Sequence, residues 1–78
     1  MQVHVRYFAV LRERKGCTDE AVTLAAPMTI GALYAELFPP SELGTLPVMY
    51  AVNEGYVAAD HLLTDGDEVA FIPPLGGG

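Results

Sequence analysis

Cysteine is almost absent from this chain: Cys17 is the only one. An internal disulfide is therefore excluded, which suits a reducing compartment, and a cytoplasmic setting is expected. Cationic side chains are scarce too. Four Lys and Arg stand against ten Asp and Glu, for a formal charge of −6. Phosphate contacts need Lys and Arg, so no nucleic-acid partner is expected. The acidic balance fits solubility or a basic protein partner. No stretch is long and apolar enough to span a bilayer, so no membrane contact is expected. Met1–Arg6 reads as a strand rather than a targeting segment. The two histidines, His4 and His61, have no Cys or Glu beside them at metal-ligand spacing, so no metal site is expected. Asp65, Asp67 and Glu68 lack the spacing of a calcium loop. Cys17 has no histidine near it in sequence to make it a catalytic thiol. With no acid, base or nucleophile pair in view, catalysis by this chain alone is not expected.

What is present is apolar patterning in a short chain. Apolar residues are 51% of the 78, too many for a disordered segment. A chain this size forms one domain with a small core and little room for an enclosed active site. Val3, Val5 and Tyr7 alternate with His4, Arg6 and Phe8, which predicts a strand with one buried face. Val10–Arg14 predicts about one helical turn, and Lys15-Gly16 a turn. Glu20–Leu24 predicts a second strand, antiparallel to the first. Thr29 suits a helix N-cap, and Ile30, Leu33, Tyr34, Leu37 and Phe38 form one apolar stripe behind it. Pro39-Pro40 ends that helix, and Ser41–Pro47 reads as a loop. Val48–Val52 predicts a third strand, Asn53-Glu54-Gly55 a turn, and Tyr56–Ala58 a short return. After the connector Asp60–Leu63 and the turn Asp65-Gly66-Asp67, a last strand carries Val69 and Phe71. The expected architecture is α+β: a four- to five-stranded sheet with one main helix on one face and the other face open.

The segment after Pro73-Pro74 differs from the rest. Residues 1–74 read as the folded domain, and Leu75-Gly76-Gly77-Gly78 as a flexible tail. The prolines stiffen the exit. Glycines without Cβ atoms let a tail enter a narrow channel. A free carboxylate on Gly78 would be ionised at neutral pH. It is the least hindered group for attack on a nucleotide α-phosphate, followed by displacement of AMP by a sulfur nucleophile. A glycine tail alone is also what a frayed end looks like.

Two stretches sharpen the reading. Asp60–Gly78, above all Pro73-Pro74, two residues, then Gly77-Gly78, resembles the C-terminal signature of the molybdopterin synthase small subunits. Tyr7-Phe8-Ala9-Val10-Leu11-Arg12-Glu13 resembles their first strand and following turn. These are ubiquitin-like β-grasp sulfur carriers, and the resemblance covers essentially the whole chain. It implies that Gly78 is adenylated, with ATP, by a ubiquitin-activating-type adenylyltransferase. A sulfur donor protein then allows conversion to a thiocarboxylate. The tail, with Gly76 and Gly77, would enter the large synthase subunit and give sulfur to cyclic pyranopterin monophosphate, making molybdopterin. Two small and two large subunits would form the synthase, and the carrier itself would bind no cofactor. The resemblance also implies an interface on the open sheet face, with Phe8, Tyr56 and Ile72 in contact, Arg12 near the rim, and Pro73, Pro74 and Leu75 leading into the tail. Carriers for thiamine, cysteine or tungsten-cofactor synthesis, and a ubiquitin-like protein modifier, are the alternatives. A binding module with an inert tail is a further one.

Overall fold

A computed structural model describes residues 1–39 and 47–74. The elements run β1 (Gln2–Tyr7), α1 (Val10–Lys15), β2 (Asp19–Thr23), α2 (Ile30–Leu37), β3 (Met49–Val52), β4 (Gly55–Val57) and β5 (Glu68–Ile72). The strands form one five-stranded sheet in the order β2-β1-β5-β3-β4. The sheet is mixed, because β1 and β5 are parallel while the other neighbouring pairs are antiparallel. The expected helical turn after β1 is a full short helix, α1, which buries Leu11.

Alternation places the core. Val3, Val5 and Tyr7 on β1 and Val69 and Phe71 on β5 are buried under α2, whose Ile30, Leu33 and Tyr34 meet them. Tyr34 stacks at 5.1 Å from Phe71 and 5.4 Å from Phe38, and its edge-on contact with Tyr50 is at 6.1 Å. Such aromatic pairs add to simple area burial. Tyr7 reaches the edge of this core, where its hydroxyl donates to Glu20 Oε2 at 2.6 Å. Burial, and then the Glu20 carboxylate, push the Tyr7 phenol far above its usual range.

The first turn of α2 has every orphan N–H answered. The Ile30 N–H donates to the His61 carbonyl and the Gly31 N–H to that of Ala59, both at 2.9 Å. The Ala32 N–H donates to Thr29 Oγ1 at 3.1 Å, and the Leu33 N–H to the Thr29 carbonyl. The connector after β4 therefore serves as half of the helix cap. At the other end Phe38 leaves the helix at φ −131, as the residue before a proline must. The anticipated stop thus falls one residue early, and Phe38 packs from the C-cap. Pro40 and Ser41–Leu46, most of the expected loop, lie outside the described residues.

A polar knot joins the hairpin to the last turn. Asp67 is buried. Its Oδ2 accepts from the Thr64 N–H at 2.8 Å and its Oδ1 from the Asn53 amide at 3.1 Å. Asn53 Oδ1 in turn accepts from the Glu68 N–H at 3.0 Å. Burial pushes the Asp67 carboxyl up, but the Thr64 and Asn53 bonds outweigh it and hold it below the usual carboxylate range.

Two outcomes are expected. Gly31→Ala should destabilise by about 1–3 kcal/mol in urea unfolding, because its Cβ would stand 2.9 Å from the Ala59 carbonyl oxygen. Propensity alone gives the opposite sign, since Ala is favoured over Gly in a helix by ~1 kcal/mol; a stabilised variant would mean that the connector is not held against the helix. Asp67→Asn should lose about 1–3 kcal/mol at neutral pH. A carboxyl with a lowered folded pKa stabilises above its unfolded value near ~3.9 and loses that contribution as pH falls through the folded value. The gap between Asp67→Asn and the parent should therefore be full at pH 7 and shrink in acid, which pH-dependent unfolding curves would measure.

Candidate functional site

The face of the sheet opposite α2 divides in two. Toward β2 it is polar: His4 Nε2 lies 3.1 Å from Asp19 Oδ1, and Arg6 Nη1 lies 3.6 Å from Glu68 Oε1. Toward β4 it is apolar. The register sets Met49 opposite Ile72, Ala51 opposite Ala70, and Tyr56 opposite Ala51. Period-two alternation puts all five on this face. Tyr56 is 69% exposed and Met49 53%, which is unusual for large apolar side chains arranged as neighbours.

Between the halves runs a groove of about 220 Å³, lined by Arg6, Phe8, Ala51, Glu54, Tyr56, Glu68, Ala70 and Ile72. The structure thus brings together Phe8, Tyr56 and Ile72, residues far apart in sequence. Phe8 stands just beyond β1, and the Arg6 guanidinium sits 5.5 Å from its ring centroid. The next residue, Ala9, has φ 51 and ψ −126, a strained corner for alanine that turns the chain from β1 into α1. Arg12 is exposed on α1 and does not line the groove. Pro73 is buried and Pro74 exposed, so of these two only Pro74 presents surface. Leu75, Gly76, Gly77 and Gly78 lie outside the described residues.

Alternation in β1 places Arg6 on this face with His4 and Phe8, but sequence reasoning missed Met49, Glu54 and Glu68. Met49 depends on cross-strand register and Glu54 on the exact hairpin turn, which alternation within one strand does not supply.

Other candidate groups are occupied structurally. Asp65 Oδ1 accepts from the Gln2 N–H at 2.8 Å, and Glu68 pairs with Arg6. Cys17 is half-buried against the core. Lys15 lies over the Phe38 ring at 5.5 Å. Among the described residues no group of three His, Cys, Asp or Glu is arranged to hold a metal ion, and no helix is long and apolar enough to cross a membrane. A second groove of about 400 Å³ lies between β2, the segment after it and α2, lined by Val22, Leu24, Met28 and Leu37 among others. It holds few polar groups and no paired chemistry. The arrangement as a whole can bind a partner surface through the open face, at the end of the sheet from which β5 leads to Pro73 and Pro74. Among the described residues, the open face brings no nucleophile and base within hydrogen-bond reach of each other.

Comparison with known proteins agrees with this. The chain is 41% identical to the molybdopterin synthase sulfur carrier subunit of Escherichia coli K12, over 97% of this chain and 99% of that one. Its fold matches the crystal structure of SAMP1 from Haloferax volcanii with a TM-score of 0.77 and 26% identity over the full length of both. It also matches, in fold, a chain in the complex of subunits 1 and 2 of the molybdopterin-converting factor from Helicobacter pylori, with a TM-score of 0.66 and 23% identity over the full length of both. These are ubiquitin-like β-grasp neighbours, with the same mixed sheet and helix. The ThiS family model matches residues 5–78. On that match, and on its full-length sulfur carrier relatives, the chain belongs to the ThiS family.

Proposed function

We infer that this chain is the sulfur carrier subunit of a molybdopterin synthase, and that it works in the cytoplasm. The observation that carries this is the end-to-end match to a curated carrier of that kind. The apolar groove beside the exit of β5 supports it, because a carrier must dock by its body while its end reaches a partner's active site.

The proposed chemistry belongs to Gly78. Its carboxylate oxygen attacks the α-phosphorus of ATP on an activating adenylyltransferase, and pyrophosphate leaves. A sulfide equivalent from a donor protein then attacks the acyl carbonyl, forming C–S as the C–O bond to AMP breaks. The thiocarboxylate that remains is delivered, through Gly76 and Gly77, to a large synthase subunit. There its sulfur attacks an electrophilic carbon of the pterin precursor. Water then cleaves the acyl C–S bond, leaving sulfur on the pterin and a carboxylate on Gly78. The body supplies position rather than catalysis. Phe8, Tyr56 and Ile72 present the contact surface, Arg12 and Pro74 its margin, and Leu75 the start of the inserted segment. Pro73, being buried, supports the exit from within the fold. Two carriers and two large subunits make the proposed assembly.

A second reading, a ubiquitin-like protein modifier, is favoured by the likeness in fold to the small archaeal modifier protein 1 of Haloferax volcanii. It requires the same activation but ends in an amide to a lysine of another protein.

Intact-mass measurement after incubation with ATP, the activating enzyme and sulfide should show the gain of replacing one oxygen by one sulfur. Deleting Gly78 should abolish it. Persistent absence of that gain, with an enzyme shown to be active on another carrier, would remove the sulfur-carrier reading. Lysine-linked adducts in cell extracts, without molybdopterin formation by the reconstituted pair, would favour the modifier. For the docking face, Tyr56→Asp should leave stability within about 0.5 kcal/mol, as exposed substitutions do. It should weaken binding to the large subunit by about 2 kcal/mol, roughly 30-fold, as loss of a central aromatic anchor does. Calorimetric titration giving parental affinity would take Tyr56 out of the interface.

A further inference from the structure

Of the three charged side chains lining the open-face groove, two neutralise each other: Arg6 and Glu68 are 3.6 Å apart. The third, Glu54, is exposed and has no hydrogen-bond or ion-pair partner among the described residues. Its backbone is also in an unfavourable place. Val52 pairs with Gly55, so Asn53 and Glu54 are the two central residues of the hairpin, at φ 50 and 72. A two-residue turn with both φ values positive favours Asn then Gly. Asn53 suits its position, and its side chain serves the Asp67 knot. Glu54 does not, because a Cβ is strained there. The glycine that would relieve it stands one residue later, inside β4. A strained residue whose exposed carboxylate has no protein partner among the described residues, at the edge of the groove, adds no polar contact to the fold that holds it.

We propose that Glu54 is a specificity-determining contact of the docking face, its carboxylate pairing with a basic side chain of the large synthase subunit. The proposal rests on the carrier assignment above. Charge balance supports it: the groove's remaining charge is negative, the whole chain carries −6, and a complementary partner surface is basic. Glu54 lines the same groove as Phe8, Tyr56 and Ile72, so an ion pair there would form at the rim of the apolar contact. A pair at a rim acts mainly on the rate and selectivity of encounter.

The test compares the parent with Glu54→Gly, Glu54→Gln and Glu54→Lys. Thermal melting is measured first, then association with the large subunit of the same organism at low and high salt. Glu54→Gly should melt higher by several degrees, since strain is released. Glu54→Gln should associate about three- to tenfold more slowly at low salt, and Glu54→Lys more slowly still. Both differences should fade as salt screens the charge. Thiocarboxylate formation on the activating enzyme is followed in parallel. If the parent binds the large subunit and Glu54→Gln and Glu54→Lys associate at its rate, the proposal is overturned while the carrier assignment stands. A salt-independent loss would also overturn it, by showing that shape and not charge was changed. If the parent itself neither binds nor accepts sulfur, the carrier assignment fails and the proposal falls with it.

Discussion

Strand β5 lies between β1 and β3, and the alternation along its five residues sets both faces of the molecule. Val69 and Phe71 are fully buried under α2, while Ala70 and Ile72 face the other way. A slip of one residue would put Phe71 on the open face and Ile72 in the core. Both neighbours are locked to that register. Parallel pairing sets Val5 beside Val69, and antiparallel pairing sets Val52 beside it on the other side. The core and the open face are therefore one decision, made in the strand that leads directly to Pro73.

This dependence explains what could be read in advance. Buried alternation in β1 was legible because Val3, Val5 and Tyr7 are in phase and end at a clear break. The Thr29 cap and the α2 stripe were legible because both are local. Phe8, Tyr56 and Ile72 could be grouped through the resemblance to a known family, and the groove now gives that grouping a geometry. Met49 could not, since its place beside Ile72 comes from the β3–β5 register. Asp67 reads in sequence only as the last residue of the turn Asp65-Gly66-Asp67. Its burial depends on Asn53, 14 residues away in sequence. The hairpin was legible as a turn but not in its register, because Asn53-Glu54-Gly55 suggests a glycine at the left-handed position and the chain places glutamate there.

The small size of the domain also bears on function. With α2 covering one face, the opposite face of the sheet has no cover from the other described residues. Toward β2 it carries the polar His4–Asp19 contact and the Arg6–Glu68 ion pair, and its β3–β4 half carries exposed Met49 and Tyr56. Exposed edges and faces invite non-specific association unless they are charged or blocked. Here the chain is acidic overall and the Glu54 carboxylate, its groove neighbour Glu68 being paired with Arg6, flanks the apolar strip. Self-association would bring like charges together, whereas a basic partner would meet them favourably. The same charges can thus discourage the wrong contact and select the right one.

Backbone strain follows the same distribution. Among the described residues, three non-glycine residues have positive φ: Ala9, Asn53 and Glu54. Ala9 follows Phe8 directly, Glu54 lines the groove, and Asn53 ties that hairpin to Asp67. Such conformations cost of order 1–3 kcal/mol each and persist only where the surroundings over-determine them. The core supplies that determination: Tyr7 and Leu11 anchor either side of the Ala9 corner, and the Asn53–Asp67–Thr64 knot anchors the hairpin. A fold of this size has little stability to spare. The strain at Ala9, next to Phe8, and at Glu54 lies beside one groove, which is what a surface shaped for another molecule would leave in the free chain.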